Sequence, residues 1–530
     1  MPTADEIFKG FREHSIAEFF KKNRQMLGYA GMVRSLVTVV HEYMTNSLDA
    51  CEEAGILPDI NVKVSQITEN RYNVVVRDNG SGIPKKYVGK ALAMILTGTK
   101  FHRHMQQRGQ QGIGAAGCTL FSQVTTGKPV HVRSYTSTAA FECELSIDTA
   151  HNKPVVSNII DIDCNGTGIV VEGEFAGVKY ENSEHGVLEY IKRTALANPQ
   201  TQISFSDPFG KEYIFVRSSE KMPERPKTTK PHPLGLSVND LLELAQASES
   251  RKLSSFMVES LARTTPNKLE ELQKICSVDL GKDPKELTWS EAEELVKAIQ
   301  SVKWVAPDSA SVIGIGADQI KIALKNILNP DFISVVERKP QVFKGGIPFM
   351  VEVGIAYGGN SGRQVEDTQT ASIMRFANRV PLMFDSGSCA ITEAVRDIQW
   401  KRYSLDIDTQ PISVFVNISS VYIPYAGVGK EAIAQEDEIV DEIKLALMEA
   451  ARSMQRYVRG RQLKSIEENK YKTIMRYTKQ LATDLEELTS IDKKEIEERL
   501  EKLVAKHYPK LKQSEGGAQE AENLSGSDGA

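Results

Sequence analysis

The run Arg108-Gly109-Gln110-Gln111-Gly112-Ile113-Gly114-Ala115-Ala116-Gly117 is a glycine-rich loop leading into a helical pattern. Such a loop can aim backbone N–H groups and a helix N-terminus at phosphate oxygens, so the chemistry it offers is anion binding. It is neither a dinucleotide fingerprint nor a Walker A loop, because no Gly-Lys-Ser/Thr follows. Upstream, Arg77-Asp78-Asn79-Gly80-Ser81-Gly82 sets a carboxylate at the end of a strand pattern, with two glycines that permit a tight turn and close backbone approach. Alone it reads equally as a surface turn. Still earlier, Glu42, Asn46 and Asp49 stand at i, i+4 and i+7, so in a helix they share one face while Leu36, Val37, Val40, Met44 and Cys51 crowd the other. That pattern fits a polar site or an ordinary solvated face.

The elements that must position these groups follow from periodicity. A helix is expected over Val33 to Ala54, stopped by Gly55. Alternating apolar residues predict strands at Ile60 to Val64, Tyr72 to Val76, Val130 to Tyr135, Phe141 to Ile147 and Gly168 to Phe175, giving an α+β layer of helices over a mixed sheet. The stretch Lys221 to Pro233 is rich in proline and lysine and can hold neither ladder nor helix, which makes it the best domain boundary. Ser237 to Val302 is almost wholly helical, with breaks at Thr264 to Asn267 and Gly281 to Pro284. Strands return after Pro307, at Phe349 to Tyr357 and Ile412 to Ile418, with a helical pattern from Cys389 to Trp400 between them. From Lys430 the pattern is helical through about Lys479, and Ser514 to Ala530 lacks periodicity, as a disordered tail does.

Composition narrows the classes. With 65 basic and 70 acidic residues the formal net charge is -5, so any nucleic-acid contact must be local. Arg452, Arg456, Arg459, Arg461, Lys464, Lys470, Lys472, Arg476 and Lys479 form one such basic segment, which serves equally as a solvated helix face. The six cysteines show neither metal nor disulfide spacing and read as reduced thiols of a cytoplasmic protein. No apolar run reaches the ~18 residues of a membrane span, and no membrane association is expected. His102-Arg103-His104 lacks further clustered metal ligands, and Asp161-x-Asp163 and Asp406-x-Asp408 lack the glutamate context of a DNA-cleavage centre.

In chain order, Glu42-x-x-x-Asn46-Ser47-Leu48-Asp49-Ala50, Asp78-x-Gly80-x-Gly82 and Gly109-x-x-Gly112-x-Gly114 resemble the nucleotide-binding boxes of the GHKL superfamily. That superfamily includes DNA gyrase B, Hsp90, MutL and the sensor histidine kinases. Gly166-Thr167-Gly168 looks like its Gly-Thr element beside the adenine. The resemblance implies a Bergerat-type α/β sandwich that uses ATP and Mg²⁺. It makes Glu42 the general base, Asn46 the Mg²⁺ ligand and Asp78 the acceptor for the adenine amino group, with the loop through Gln110, Gln111 and Ile113 closing over the triphosphate. It adds Asp49, Gly80, Gly82, Thr99, Lys100, Arg108, Ala115 and Thr167 to the nucleotide-binding set.

Gly98-Thr99-Lys100-Phe101, Asn378-Arg379-Val380-Pro381-Leu382 and Ile423-Pro424-Tyr425 followed by Lys430 resemble the topoisomerase VI B-subunit family more narrowly. This resemblance implies a strap over residues 1–30, an ATP-binding domain over 31–228 and an all-α helix-two-turns-helix insert over 229–306. An α/β transducer with a long C-terminal helix follows over 307–480, then a helical extension over 481–513 and the tail over 514–530. Lys430 is implied to reach the γ-phosphate from the transducer. The implied partners are a DNA-cleaving A-type subunit in an A2B2 heterotetramer, double-stranded DNA, and a second copy of the chain on binding ATP. The function implied is ATP-gated duplex passage. A histidine kinase is a competing reading, but it needs a phospho-acceptor hairpin ahead of Glu42, where His14 is the isolated candidate. A repair or chaperone-like ATPase clamp is another, against which the all-α insert argues.

Overall fold

The computed structural model describes residues 28–95, 97, 104–109, 112–365, 368–427, 429–489 and 491–507. The expected strap (apart from Gly28 to Ala30), Thr99, Lys100, Gln110, Gln111, His102 and the C-terminal tail lie outside them. The chain separates into two compact units, one running to Trp400 and including Asp406–Ala451, the other comprising Lys401–Leu405 and Arg452 onward.

The first unit opens on helix α1 (Met32–Ala54), whose apolar face is buried from Leu36 to Cys51. Gly55 ends it in the left-handed region at φ 71°, and Ile56 N–H donates back to Cys51 O at 3.0 Å, so the freed carbonyls of the last turn are satisfied. Eight strands follow: β1 (Asp59–Thr68), β2 (Arg71–Arg77), β3 (Val130–Tyr135), β4 (Ala140–Asp148), β5 (Lys153–Ile162), β6 (Gly168–Ala176), β7 (Gln202–Ser206) and β8 (Glu212–Phe215). They form one sheet in the order β5-β4-β3-β6-β2-β1-β7-β8, antiparallel except for the parallel pair β1 and β7. Alternate residues Ile60, Val62, Val64, Val74, Val76, Val130 and Val132 point inward onto α1, α3 (Gly114–Thr126) and α4 (Val187–Ala197). A short α2 (Val88–Leu92) precedes the glycine loop.

No regular element lies between β8 and Pro233, across the proline-lysine stretch. Four helices then share a core of Leu241, Phe256, Leu272 and Leu295: α5 (Val238–Gln246), α6 (Leu253–Ser260), α7 (Pro266–Gln273) and α8 (Trp289–Ser301). Reciprocal capping boxes, Ser237 with Asp240 and Thr288 with Glu291, start α5 and α8. The break between α5 and α6 was not legible in the apolar spacing.

The second layer begins with α9 (Ala317–Leu328) and is built on β9 (Phe332–Glu337), β10 (Gln341–Phe343), β11 (Ile347–Tyr357), β14 (Ser372–Ala377), β15 (Val380–Pro381) and β16 (Ile412–Ser420). A separate hairpin pairs β12 (Arg363–Val365) with β13 (Thr368–Thr370). The larger sheet runs β10-β11-β16-β14-β15, with β9 also paired to β11. Helix α10 (Ala390–Asp397) lies between β15 and β16 in sequence, where the Cys389 to Trp400 pattern pointed. Leu196 and Ala197 of α4 share a core with Ile320, Leu324, Phe376 and Phe415, so the two α/β layers are packed together.

Helix α11 (Asp437–Thr489) extends past the expected end near Lys479, and α12 (Lys493–His507) follows. The segment 480–487 consists largely of strong helix formers, which prolong α11 without an apolar stripe. Within the second unit Gln455 donates to Arg402 O at 2.8 Å, and the basic side chains from Arg452 to Lys479 are mostly exposed. No helix among the described residues is long and apolar enough to cross a membrane.

Candidate functional site

A cavity of about 890 Å³ opens between α1, the glycine loop and the turn that carries Lys430. Glu42, Asn46, Gly82, Arg108, Gly109, Gly112, Ile113, Gly114, Ala115 and Lys430 all border it. A narrower apolar cleft beside it is lined by Asn46, Ala50, Val76, Asp78, Gly82, Ile169 and Val171. The lining of the outer cavity has the larger polar share, and that of the inner cleft is mostly apolar.

Strand β2 delivers Asp78 to the floor of the cleft. Its Oδ1 accepts from Gly80 N at 2.9 Å and from Ile169 N at 3.3 Å, while Oδ2 is buried with no hydrogen-bond partner. Burial pushes this carboxyl up, opposed by Ser47 and the two backbone donors. The glycines are steric requirements: a Cβ on Gly168 would lie 2.0 Å from Asp78 O, and one on Gly82 2.2 Å from Tyr135 O, with φ 136° and 69° respectively. Gly80 packs more loosely, 3.2 Å from Ala50 Cβ. Thr167 is exposed and borders neither cavity, so the Gly-Thr element acts on Asp78 through the backbone of Gly168 and Ile169.

Glu42 projects from the middle of α1 toward the start of α3. A Cβ on Gly114 would stand 1.8 Å from Glu42 Oε2, so only glycine lets the carboxylate rest against that helix N-terminus. Its carboxylate-bearing side chain borders the large cavity. Lys430 adopts φ 53° and is half-buried, with Nζ 5.9 Å from the Tyr425 ring centroid. Burial lowers its ammonium pKa, and the charge of Glu42 partly restores it, which places the two groups within electrostatic reach. The next residue, Glu431, anchors the turn: its carboxylate accepts from Met383 N and Phe384 N, each at 3.3 Å, and it feels the charges of His41 and Arg34 on α1. Arg34 forks onto Asp385 at 3.1 and 3.3 Å. Sequence reasoning passed over Glu431, and only its place beside Lys430 hinted at it.

Asp49 lies off the cavity, and Arg108, though it borders the cavity, directs its guanidinium into an ion-pair node. Asp49 lies outside the lining of the large cavity, and its carboxylate takes a 2.8 Å bond from Arg108. Arg108, whose side chain is 6% exposed, also forks onto Glu52 at 2.7 and 2.9 Å and donates to Asn198 at 2.7 Å. Burial alone would lower the guanidinium pKa, but Glu52 and Asp49 raise it above the ordinary value. The side chain expected to meet the nucleotide is therefore committed to a buried ion-pair node, because two carboxylates one turn apart on α1 need a cation when desolvated. The discounted acidic pairs are also locally engaged: Asp161 meets Lys85 at 2.9 Å, and Asp406 Oδ1 accepts from Asp408 N at 3.0 Å.

The fold and site define an ATPase of the gyrase, Hsp90 and histidine-kinase type, and residues 34–162 match the family described as histidine kinase-, DNA gyrase B-, and HSP90-like ATPase. Residues 307–470 match the transducer of the topoisomerase VI B subunit. The chain is 44% identical over 478 residues to the B subunit of type 2 DNA topoisomerase 6 from Methanothermobacter thermautotrophicus, covering 89% of this chain and 91% of that one. It is 41% identical to the subunit of the same name from Pyrococcus horikoshii, covering 95% and 97% respectively. The chain belongs to the topoisomerase VI B-subunit family.

Proposed function

We propose that this chain is the ATP-binding and ATP-hydrolysing subunit of a type IIB DNA topoisomerase. Two copies dimerise on ATP and gate the passage of one duplex through a break made in another by a separate A-type subunit. The products are relaxed and decatenated DNA, and the assembly is an A2B2 heterotetramer acting on double-stranded DNA in the cytoplasm. The observation that carries this reading is the cavity that joins Glu42 and Asn46 of the first layer to Lys430 of the second. A ligand held from both layers changes their relative free energy by its differential affinity, which is the requirement for a nucleotide-driven gate.

The residues fit the chemistry. The unpartnered Asp78 Oδ2 in an apolar cleft suits the amino group of adenine. The exposed Asn46 amide borders the outer cavity and offers one hard oxygen, the donor that Mg²⁺ takes beside phosphate and water. An ion held there by Asn46 would supply positive charge against the phosphate oxygens. Gly109, Gly112, Gly114 and Ala115 border the same cavity at the N-terminus of α3, a setting whose backbone N–H groups suit such anions. Glu42 accepts the proton of the attacking water, and the Lys430 ammonium balances charge on the transferred phosphoryl group. A repair or chaperone-like clamp is not favoured, given the transducer match over residues 307–470.

Light scattering on the purified chain with Mg²⁺ tests the gate. A monomer without nucleotide should become a dimer with a non-hydrolysable ATP analogue. A mass indifferent to nucleotide sinks the proposal.

A further inference from the structure

Gln106, Gln107 and Arg108 form the root of the glycine loop; Gln106 and Gln107 bond directly to Ile313 and Asn378, and Arg108 reaches Arg379 through Glu52. The Gln106 amide exchanges two bonds with Ile313, donating to its carbonyl at 2.8 Å and accepting from its N–H at 2.7 Å. Gln107 O accepts from Asn378 Nδ2 at 3.1 Å. Arg108 grips Glu52, whose Oε1 lies 3.6 Å from Arg379 Nη1. Against the burial that raises it, the charges of Arg108 and Arg379 hold the Glu52 carboxyl below its usual range.

Arg379 occupies an unusual backbone position. Phe376 pairs with Pro381 and Ala377 with Val380, so Asn378-Arg379 is a two-residue hairpin turn, and their φ values of 48° and 67° make it the left-handed kind that favours Asn-Gly. An arginine there carries strain that glycine would not. Its guanidinium is nonetheless buried, reaching Glu52 on one side and Gly314 O at 3.2 Å on the other. Its backbone N–H donates to Asn417, which donates to Glu352 Oε2 at 2.8 Å, and Glu352 accepts the N–H groups of Ile315 and Gly316 where α9 begins. A chain of ion pairs and hydrogen bonds therefore runs from the root of the glycine loop to α9 and the central strands of the second layer.

We propose that Arg379 is a positioning residue that couples the root of the glycine loop, Gln106 to Arg108, to the transducer, forming a second mechanical link separate from Lys430. This rests on the ATP-gated reading above. Strain kept in a turn is explained by the contact it supports, and substituting glycine removes the contact while relieving the strain. Glu52 keeps its bonds from Arg108 and from Gln200 at 2.8 Å in that variant, so the fold has no new unpaired carboxylate.

The test is Arg379→Gly in the full chain, alongside wild type and Arg379→Lys. ADP affinity, which involves no γ-phosphate, should stay within about twofold, while kcat for ATP falls about tenfold with little change in KM. Hydrogen exchange at residues 313–316 should slow with a non-hydrolysable analogue in wild type, stay fast in Arg379→Gly and recover in part in Arg379→Lys. Combined with Lys430→Met, the losses in kcat should multiply, as for independent links. Wild-type kcat and analogue protection in Arg379→Gly would overturn the proposal. So would equal loss of ADP binding and kcat in both variants, which marks a purely structural role. If wild type itself neither dimerises with the analogue nor hydrolyses ATP, the ATP-gated reading fails, an outcome distinct from either.

Discussion

Glu42 and Glu52 lie on the same helix, and the structure treats them oppositely. Glu42 faces a large cavity, held against Gly114 at the start of α3 with Lys430 as its distant counter-charge. Glu52 is sunk among Arg108, Arg379 and Gln200, every contact within 3.6 Å. A carboxylate that must exchange a proton with water needs access and an unsaturated shell. One that must join two layers needs its lone pairs filled, because an unpaired buried charge is costly. On the proposed reading, the helix carries chemistry at its middle and mechanics at its C-terminal end.

Substitution around each carboxylate should break the comparison in different observables. Glu42→Gln should lower ATP turnover about 10³-fold, the scale of a lost general base, while analogue-driven dimerisation persists. Near wild-type steady-state ATPase in that variant would remove Glu42 from the base role. Arg108→Ala leaves Asp49 and Glu52 buried without their main cation and should cost about 3–5 kcal/mol of stability in urea denaturation. An unchanged unfolding midpoint would show that water replaces the guanidinium and that the node is not mechanical.

The smallest effect concerns Lys430 and pH. Burial lowers its pKa in the free protein, so the neutral amine gains population at a lower pH than for an exposed lysine. Binding an anionic γ-phosphate favours the ammonium and is therefore linked to proton uptake, and analogue affinity declines as pH rises through the free-state pKa. Calorimetry in buffers of different ionisation enthalpy should detect this uptake in wild type and find it absent in Lys430→Met. Equal uptake in the two would assign the proton to another group.

Much of the positioning framework was legible in the sequence. The helix ending at Gly55 and the strands at Ile60, Tyr72, Val130, Phe141 and Gly168 follow from apolar period and glycine placement, and each appears. Strand β5 was missed because it lies at a sheet edge with most side chains exposed, so it needs no alternation. Likewise α11 outruns its expected end because its exposed second half is held by propensity rather than by an apolar stripe.

Site chemistry divides along the same line. Residue types and their order brought Glu42, Asn46, Asp78 and the glycine loop together through their resemblance to one family of motifs, and the structure lines two adjoining cavities with Glu42, Asn46, Asp78 and the described glycines of that loop. Tertiary structure alone decided that Asp49 and Arg108 serve the ion-pair node, that Thr167 faces outward, and that Lys430 enters the cavity with Glu431 as its anchor. The physical reason is that local pattern encodes backbone geometry and burial, whereas the partner of a charged side chain is set by which distant segment packing brings within a few ångströms of it.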